Sequence, residues 1–403
     1  MKRLKILLVI ALVFCSIGIG QAQTPQLELK APSGILMEAH NGEVLWAKEP
    51  HRRQPVASLT KMMTLTLALE AYMEGRIGLE DMLTASPYAS SMGGSQIWWE
   101  AGEQLPFRDA LYAIGVGSAN DAAVVVAEAL AGSETQFAAR MNQRAQELGL
   151  QNTKFVNASG LPASMTSGSG EAHYSTALDM ANLARHLIGL PLALEIASTY
   201  KYVIRENKRN EVVLWNWNRM IDRTMEESGR RYGYPGMDGL KTGSTTEAGY
   251  CLAASAQKDG LRLISVVLGA KNSQERQEDT QRLLDWGFRN FQAVVITHKG
   301  DVIGQAPVLR GSREKVDVVA GQDFTIVLPR REKAEIRQEL RLHPHLVAPL
   351  EEGAVVGQLV VFLGDQEKAT IDLITGQRVP KGNLWQLTKG TLKGLLMSLF
   401  SKQ

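Results

Sequence analysis

From Ala57 to about Tyr72 the chain is apolar almost all round and carries few residues that oppose a helix. Pro55, just before it, holds the entry extended. A helix with no polar face is predicted to be buried on every side, so this segment reads as the central helix of a sizeable domain. Around it, strand and helix periods alternate. Ile35, Leu36 and Met37 lead to an Asn41-Gly42 turn from which Val44, Leu45 and Trp46 return, predicting a hairpin over residues 34–48. Residues 80–105 are mixed, and their Trp98-Trp99 pair reads as core or cleft wall. Helical periodicity runs through 107–150 but breaks at Gly115-Val116-Gly117-Ser118-Ala119-Asn120-Asp121. Such a polar break between apolar helices is either a plain loop or a place where side chains are delivered into a cleft. A small-residue loop follows at 163–173, and Thr176 with Asp179 then signals a helix that runs to about Ile188. Strand-like runs at 200–205, 211–215, 250–256 and 261–268 precede a helical pattern around Asp279–Phe291. Strands at both ends of this segment, with helices between, predict an antiparallel sheet covered by helices over residues 23–292.

After about residue 293 the pattern changes to short alternating runs such as Lys315–Val319, Phe324–Leu328 and Gln358–Leu363, separated by Gly and polar turns. This predicts a small all-β, sandwich-like domain over 293–382. The tail, 383–403, has a different period. On a helical wheel Leu384, Trp385, Leu392, Leu395, Leu396, Leu399 and Phe400 share one face, flanked by Lys389 and Lys393. Such a helix barely reaches ~30 Å and carries its lysines mid-segment, so lying in a membrane interface fits better than spanning. At the other end, Lys2, Arg3 and Lys5 precede an apolar run from Ile6 to Ile19 and the small residues of Gly20-Gln21-Ala22. That is the pattern of a signal peptide over 1–22 and predicts an exported protein. Cys15 does not make it a lipoprotein signal, because Phe14 is too large for the position before a lipidated cysteine.

Removal of that segment takes three cations and no anions, turning the net charge of +2 into −1 and arguing against a nucleic-acid partner. Only Cys251 then remains, so no intrachain disulfide is expected although the chain is exported. The seven histidines are scattered, with no His-Glu-x-x-His and no Cys/His cluster, so no metal site is indicated.

The anomaly on the central helix is a polar pair, Ser58 and Lys61, three positions apart and so on one face. A serine is a poor nucleophile unless a base takes its proton, and a buried neutral lysine can do so. Working near neutrality requires the lysine pKa to fall by roughly 3 units, about 4 kcal/mol. Burial and a second nearby cation both push that way. Ser-x-x-Lys alone is common by chance. Here it is followed in order by Ser118-x-Asn120 and by Lys241-Thr242-Gly243, and the three together form the signature associated with penicillin-binding proteins and class A β-lactamases.

The sequence closely resembles the low-molecular-mass D-alanyl-D-alanine carboxypeptidases, serine-type penicillin-binding proteins that trim peptidoglycan stems. The resemblance covers nearly all of the mature chain, through blocks such as PVASLTKMMT, GSANDAAVVVAEALAGSE, LGLQNTKFVNASGLP, HYSTALDMANLA, DGLKTGSTTEAGYCLAASA and RLLDWGF. It implies an α+β fold: a serine β-lactamase/penicillin-binding-protein-like catalytic domain, a β pedestal and a membrane-surface helix, at the extracytoplasmic face of a bacterial membrane. It implies acyl transfer without cofactor or metal. Ser58 is the expected nucleophile, Lys61 its base and Ser118 a proton relay. Asn120 is expected to hold the Ser58–Lys61 pair and the substrate amide, and Lys241 to supply a second charge. Thr242, Gly243, Ser244, Thr245 and Arg276 are the expected substrate-binding residues, with Thr242 and Arg276 gripping a terminal carboxylate. Arg276 reads equally well as a solvated charge within its polar stretch. The implied ligands are stem peptides ending in D-Ala-D-Ala and β-lactams as covalent inhibitors.

The 163–173 loop is longer than usual for the family, and His173 at its end is expected to be structural. No Glu-x-x-Leu-Asn segment of the kind that deacylates class A β-lactamases is present. A β-lactamase or a D,D-endopeptidase on the same fold remains open, as does an idle cell-wall scaffold. Five intact polar motif residues speak against the scaffold.

Overall fold

The computed structural model of the chain describes residues 27–162, 173–221, 233–331 and 335–383. The expected signal peptide, the 163–173 loop up to its terminal His173, and the tail helix from Leu384 lie outside them.

A five-stranded antiparallel sheet carries the N-terminal part, in the order Val44–Lys48, Ser33–Glu38, Leu261–Ala270, Gly249–Lys258, Met237–Thr245. The first hairpin therefore pairs with a strand more than 200 residues later, through contacts such as Leu36 opposite Ser265. Both faces of this sheet are covered. Ile35, Met37, Ala253, Ile264 and Val266 join the core formed with the helices. Leu36, Leu252, Ala254 and Leu263 pack on Leu283, Leu284 and Phe288 of the helix Ser273–Asn290. Enclosure from both sides is why Ser33–Glu38 is buried at every position and shows no alternation in the sequence.

The central helix begins as a tight 3₁₀ turn, Ala57–Thr60, and continues as an α-helix, Lys61–Met73. Met62, Met63, Ala68 and Leu69 are fully buried, as an apolar-all-round helix requires. The helix Ser273–Asn290 starts six residues before the expected Asp279. Asn272 caps it by accepting from the Glu275 N–H at 2.8 Å, a start signal that precedes the apolar period. Thr176 caps Ala177–Ile188 in the same way, where the sequence indicated it.

The described residues after Asn290 form strands and the turns between them, with no helix. Phe291–Thr297 pairs with Phe324–Pro329, and six further strands form a second sheet. Ile326 and Leu328 of the pair share a core with Val316, Val318, Leu359, Val361 and Leu373 of that sheet. No helix among the described residues is long and apolar enough to cross a membrane.

Besides Lys61, the central helix carries one charged residue, Glu70. Arg144 of the helix Glu134–Glu147 donates to its carboxylate from Nε and Nη2, the shortest contact being 2.8 Å. His186 of Ala177–Ile188 lies 2.7 Å from the same oxygen. Three helices are joined at one largely enclosed carboxylate, and removing it leaves Arg144 only one carboxylate partner, Glu147 at 2.9 Å. Glu70→Ala is expected to lower stability by about 3 kcal/mol in urea unfolding, and Glu70→Gln by less, because an amide oxygen still accepts. A wild-type midpoint for Glu70→Ala would mean that the network contributes nothing net.

Candidate active site

In a 3₁₀ turn residues three apart stand in line, so the turn Ala57–Thr60 sets the Ser58 side chain directly over Lys61. Lys61 is completely buried, with its Nζ 2.6 Å from Asn120 Oδ1, 2.7 Å from the Ser159 carbonyl and 3.2 Å from Ser58 Oγ. The first two neighbours can only accept. The Asn120 amide is oriented by its other end, since Nδ2 donates to the Gly93 carbonyl at 2.7 Å. A neutral amine has two N–H groups and one lone pair. In the neutral form, two N–H groups on these acceptors would leave the lone pair to the Ser58 hydroxyl, whereas the charged form donates to Ser58 Oγ as its third acceptor.

Ser118 ends the polar break between the helices Phe107–Gly115 and Asn120–Ala131. It is a non-glycine residue with φ of 59°, a conformation that costs about 1 kcal/mol or more. In that pose its Oγ receives a hydrogen bond from Lys241 Nζ at 2.9 Å. Lys241 is itself buried on the edge strand Met237–Thr245, the position in the sheet that borders the turn holding Ser58. The two approach so closely that a Cβ at Gly243 would lie 3.0 Å from the Ser58 nitrogen and 2.9 Å from the Val56 carbonyl. A side chain there would obstruct the backbone N–H of Ser58. On the opposite side Gly160, at φ of 80°, has room for no Cβ either, because it would fall 2.1 Å from the Ala57 carbonyl.

A cleft of about 260 Å³ opens here, with Ser58, Ser118, Thr242, Gly243, Ser244 and Arg276 among its walls. Arg276 is buried, in the first turn of the helix Ser273–Asn290, so it is not a solvated charge. Its Nη2 donates to Ser273 Oγ at 3.2 Å and its Nη1 to the Cys251 carbonyl at 3.4 Å, while its buried Nε has no partner. Arg219, which the sequence reading passed over, lines the same cleft, as does Tyr250. Thr245 is not among the cleft walls, and its Oγ1 accepts from the Ala248 N–H in the turn that follows. Cys251 is a buried thiol in the sheet core.

Behind these groups stands a layer that no short motif marks. Asp121 accepts from the N–H groups of Ile97, Trp99 and Ala122, fixing the strip that carries Ser95. Glu134 accepts from the Ala158 N–H at 3.0 Å, next to the carbonyl that Lys61 uses. His173 takes the structural place expected of it: Val156 N–H donates to Nδ1, and Nε2 lies 2.5 Å from Thr60 Oγ1. Burial, and then the nearby Lys61, push its pKa down to about 4, so the ring is neutral with its proton on Nε2.

Burial, followed by repulsion from Lys241, holds the Lys61 pKa well below the usual lysine range, against the weaker pull of Asp121 and Glu134. Burial and then the Arg276 charge push Lys241 down to about 7. The arrangement supplies a hydroxyl beside an amine of lowered pKa, a second amine one serine away, and a guanidinium in the cleft wall.

Residues 20–272 match the family model described as D-alanyl-D-alanine carboxypeptidase, and residues 291–381 match the C-terminal domain of penicillin-binding protein 5. The D-alanyl-D-alanine carboxypeptidase DacF of Bacillus subtilis is 36% identical over 340 residues, 84% of this chain and 83% of its own. Penicillin binding protein 5 from Haemophilus influenzae, a solved structure, is 31% identical with a TM-score of 0.69, covering 88% of this chain and 98% of its own. Penicillin-binding protein D2 from Listeria monocytogenes, solved in its ampicillin-bound form, is 31% identical with a TM-score of 0.54, covering 66% of this chain and 100% of its own.

The lysine titration has a sign that can be checked. Lys241 titrates near 7 when folded and near the ordinary 10.5 when unfolded, so between those values the unfolded chain binds the extra proton. Stability conferred through this group therefore rises with pH across that window and is lowest beneath it. In urea unfolding from about pH 7.5 to about pH 9.5, the wild type should gain on Lys241→Met by up to about 1.4 kcal/mol per pH unit. A difference that does not change with pH would remove the basis for a depressed Lys241.

Proposed function

This chain belongs to the D-alanyl-D-alanine carboxypeptidase family, and on that premise we propose that it is a penicillin-binding serine D,D-carboxypeptidase that removes the terminal D-alanine from peptidoglycan pentapeptide stems. The observation that carries the reading is the set of partners around Lys61. Two obligate acceptors engage its N–H groups at 2.6 and 2.7 Å, which in the neutral form leaves its lone pair for the Ser58 hydroxyl at 3.2 Å.

The reaction follows from those positions. Ser58 Oγ attacks the carbonyl between the two D-alanines as its proton passes to Lys61 Nζ. The developing oxyanion is met by the backbone N–H groups of Ser58 and Ser244, donors worth about 3–4 kcal/mol each in such sites. The C–N bond then breaks, the leaving amine takes a proton by way of Ser118, and free D-alanine departs. Water hydrolyses the remaining ester on Ser58. In its protonated form, Lys241 repels a charge on Lys61 and draws the substrate carboxylate. Thr242 and the Arg276 guanidinium grip that carboxylate, with Arg219 beside them. Asn120 holds Lys61 and meets the substrate amide, and Gly243 leaves the Ser58 N–H clear. A β-lactam acylates the same serine, and no Glu-x-x-Leu-Asn segment is present to speed its release.

The signal segment 1–22 and the amphipathic tail 383–403 support a location outside the cytoplasm, with the catalytic domain, 23–292, held at the membrane surface beyond the all-β unit, 293–382.

Fluorescent penicillin is expected to form an adduct mapping to Ser58 by peptide mass and to vanish in Ser58→Ala. The purified enzyme should release D-alanine from muramyl pentapeptide, with Lys61→Ala inactive and Arg276→Ala impaired mainly through a raised KM. Cleavage of a cross-linked dimer muropeptide alone would make this an endopeptidase, and cleavage of neither substrate would leave an idle scaffold.

A chain ending at Asn383 should leave the membrane fraction and keep its peptidase activity, because every motif residue lies upstream. If the shortened chain still sediments with membranes, the tail is not the anchor.

A further inference from the structure

Beside the catalytic cleft runs a second groove of about 370 Å³, sharing Ser95, Trp217 and Arg219 with it. Its far wall inverts the usual order of a folded chain. In Trp215-Asn216-Trp217-Asn218 the asparagines point inward and the tryptophans outward. Asn216 and Asn218 are buried, the first donating to the carbonyls of Ala197 and Thr199 and the second to that of Gly239. Trp215 and Trp217 are 49% and 54% exposed. Large aromatic rings normally take the interior and amides the surface, so this strip gives up apolar burial to present two ring faces.

The facing wall does the same by another route. Trp98 is 64% exposed and has a φ of 52°, a left-handed backbone that is a genuine outlier for a bulky residue. Its neighbours are clamped: Ile97 and Trp99 donate to Asp121, and Arg205 donates to the Ile97 and Trp98 carbonyls while paired with Glu103. With the Gln96 amide turned to satisfy both its ends, its oxygen accepts from Trp98 Nε1 at 3.2 Å. Trp215 is likewise set in place, with Lys201 Nζ 5.5 Å from its ring centre and Tyr200 edge-on at 5.3 Å. Rings held this firmly and left this bare are pre-organised to receive something flat.

We propose that this groove is a carbohydrate subsite that seats the glycan strand from which the stem peptide hangs. The inference rests on the carboxypeptidase reading for its substrate and on the groove for its chemistry. Among the groove's lining residues only Arg219, at the junction with the cleft, is charged. The other lining residues are uncharged, and away from Arg219 and the Lys201 amine over Trp215 they suit a neutral polymer. Pyranose rings present C–H faces to the negative face of an aromatic ring and hydroxyls at their rims. Continuity with the cleft lets one molecule occupy both.

The test uses Trp98→Ala and Trp215→Ala, exposed positions outside the catalytic machinery. The purified enzyme is given muramyl pentapeptide either free or on an oligomeric glycan, and is separately titrated with a β-1,4-linked tetramer of N-acetylglucosamine by intrinsic fluorescence. Each variant should keep wild-type kcat/KM on the free pentapeptide and lose about five- to tenfold on the glycan-linked one. The tetramer should shift the wild-type emission and fail to shift that of either variant. Equal losses on both substrates would assign the groove to the peptide, and no loss on either would make the rings idle; both outcomes overturn the proposal. If the wild type cleaves neither substrate, the carboxypeptidase reading falls, and the tetramer titration still decides the groove.

Discussion

The proposed chemistry depends on keeping one buried lysine without its proton. An ammonium in an apolar interior loses its hydration, and Lys61 lies at the head of the central helix with no exposed surface. Burial alone lowers the affinity for a proton without saying where the lone pair points. The direction comes from Asn120 Oδ1 and the Ser159 carbonyl, which engage two hydrogens and leave one side. Each of those acceptors is fixed in turn. Asn120 is held by Gly93, and Ser159 lies in a turn organised by Asn157 Oδ1, which accepts from the Gly160 N–H at 2.7 Å. Lys241, one serine away, adds repulsion without sharing a hydrogen bond with Lys61.

The sheet and helices serve this arrangement by bringing three remote pieces of chain together. The turn Ala57–Thr60, the break before Asn120 and the edge strand Met237–Thr245 meet at one point. Because Met237–Thr245 closes the sheet on that side, its outer edge is free to border a substrate rather than another strand. Contact at backbone distance requires glycine, as Gly243 and Gly160 show. It also requires left-handed backbone at Ala57 and Ser118, on either side of the reacting atoms. Such strain persists only where the surrounding structure over-determines it, and a buried helical core supplies that.

How much of this was legible in the sequence follows a physical rule. Features set by local period or spacing could be read: the central helix from its lack of a polar face, the Ser58–Lys61 alignment from its three-residue spacing, the cap at Thr176 from its chemistry. The delivery of Ser118 and Asn120 into a cleft was one of two readings of the polar break, and long-range packing decides between them. Arg276 was ambiguous because the apolar period of its helix begins only at Leu283. The start lies instead at Asn272, which places Arg276 in a buried first turn. Asp121 and Glu134 were illegible for a different reason. Their partners are contributed by distant segments, and a carboxylate accepting backbone N–H groups leaves no motif. The strip Trp215–Asn218 reverses the hydrophobic rule, so a reading that assigns tryptophan to the interior passes over it.

The two kinds of departure from local rules have one cause. A residue that folds against its preference raises the free energy of the native state unless something offsets it. Here several departures collect within the cleft and the groove beside it: two lysines away from water, Ser118 and Trp98 in left-handed backbone, tryptophans turned outward over buried asparagines. Other departures lie outside the site, such as the left-handed backbone at Leu192 and Arg310. Folding alone would favour an apolar residue at Lys61 and Lys241 and a glycine at Ser118. The fold retains the costlier residues because its core of fully buried apolar side chains, from Ile35 to Leu268, is large enough to carry them. Concentrating the strain where one face is solvent and the other is rigid keeps these groups pre-arranged, so little reorganisation remains for the proposed step in which Ser58 gives up its proton.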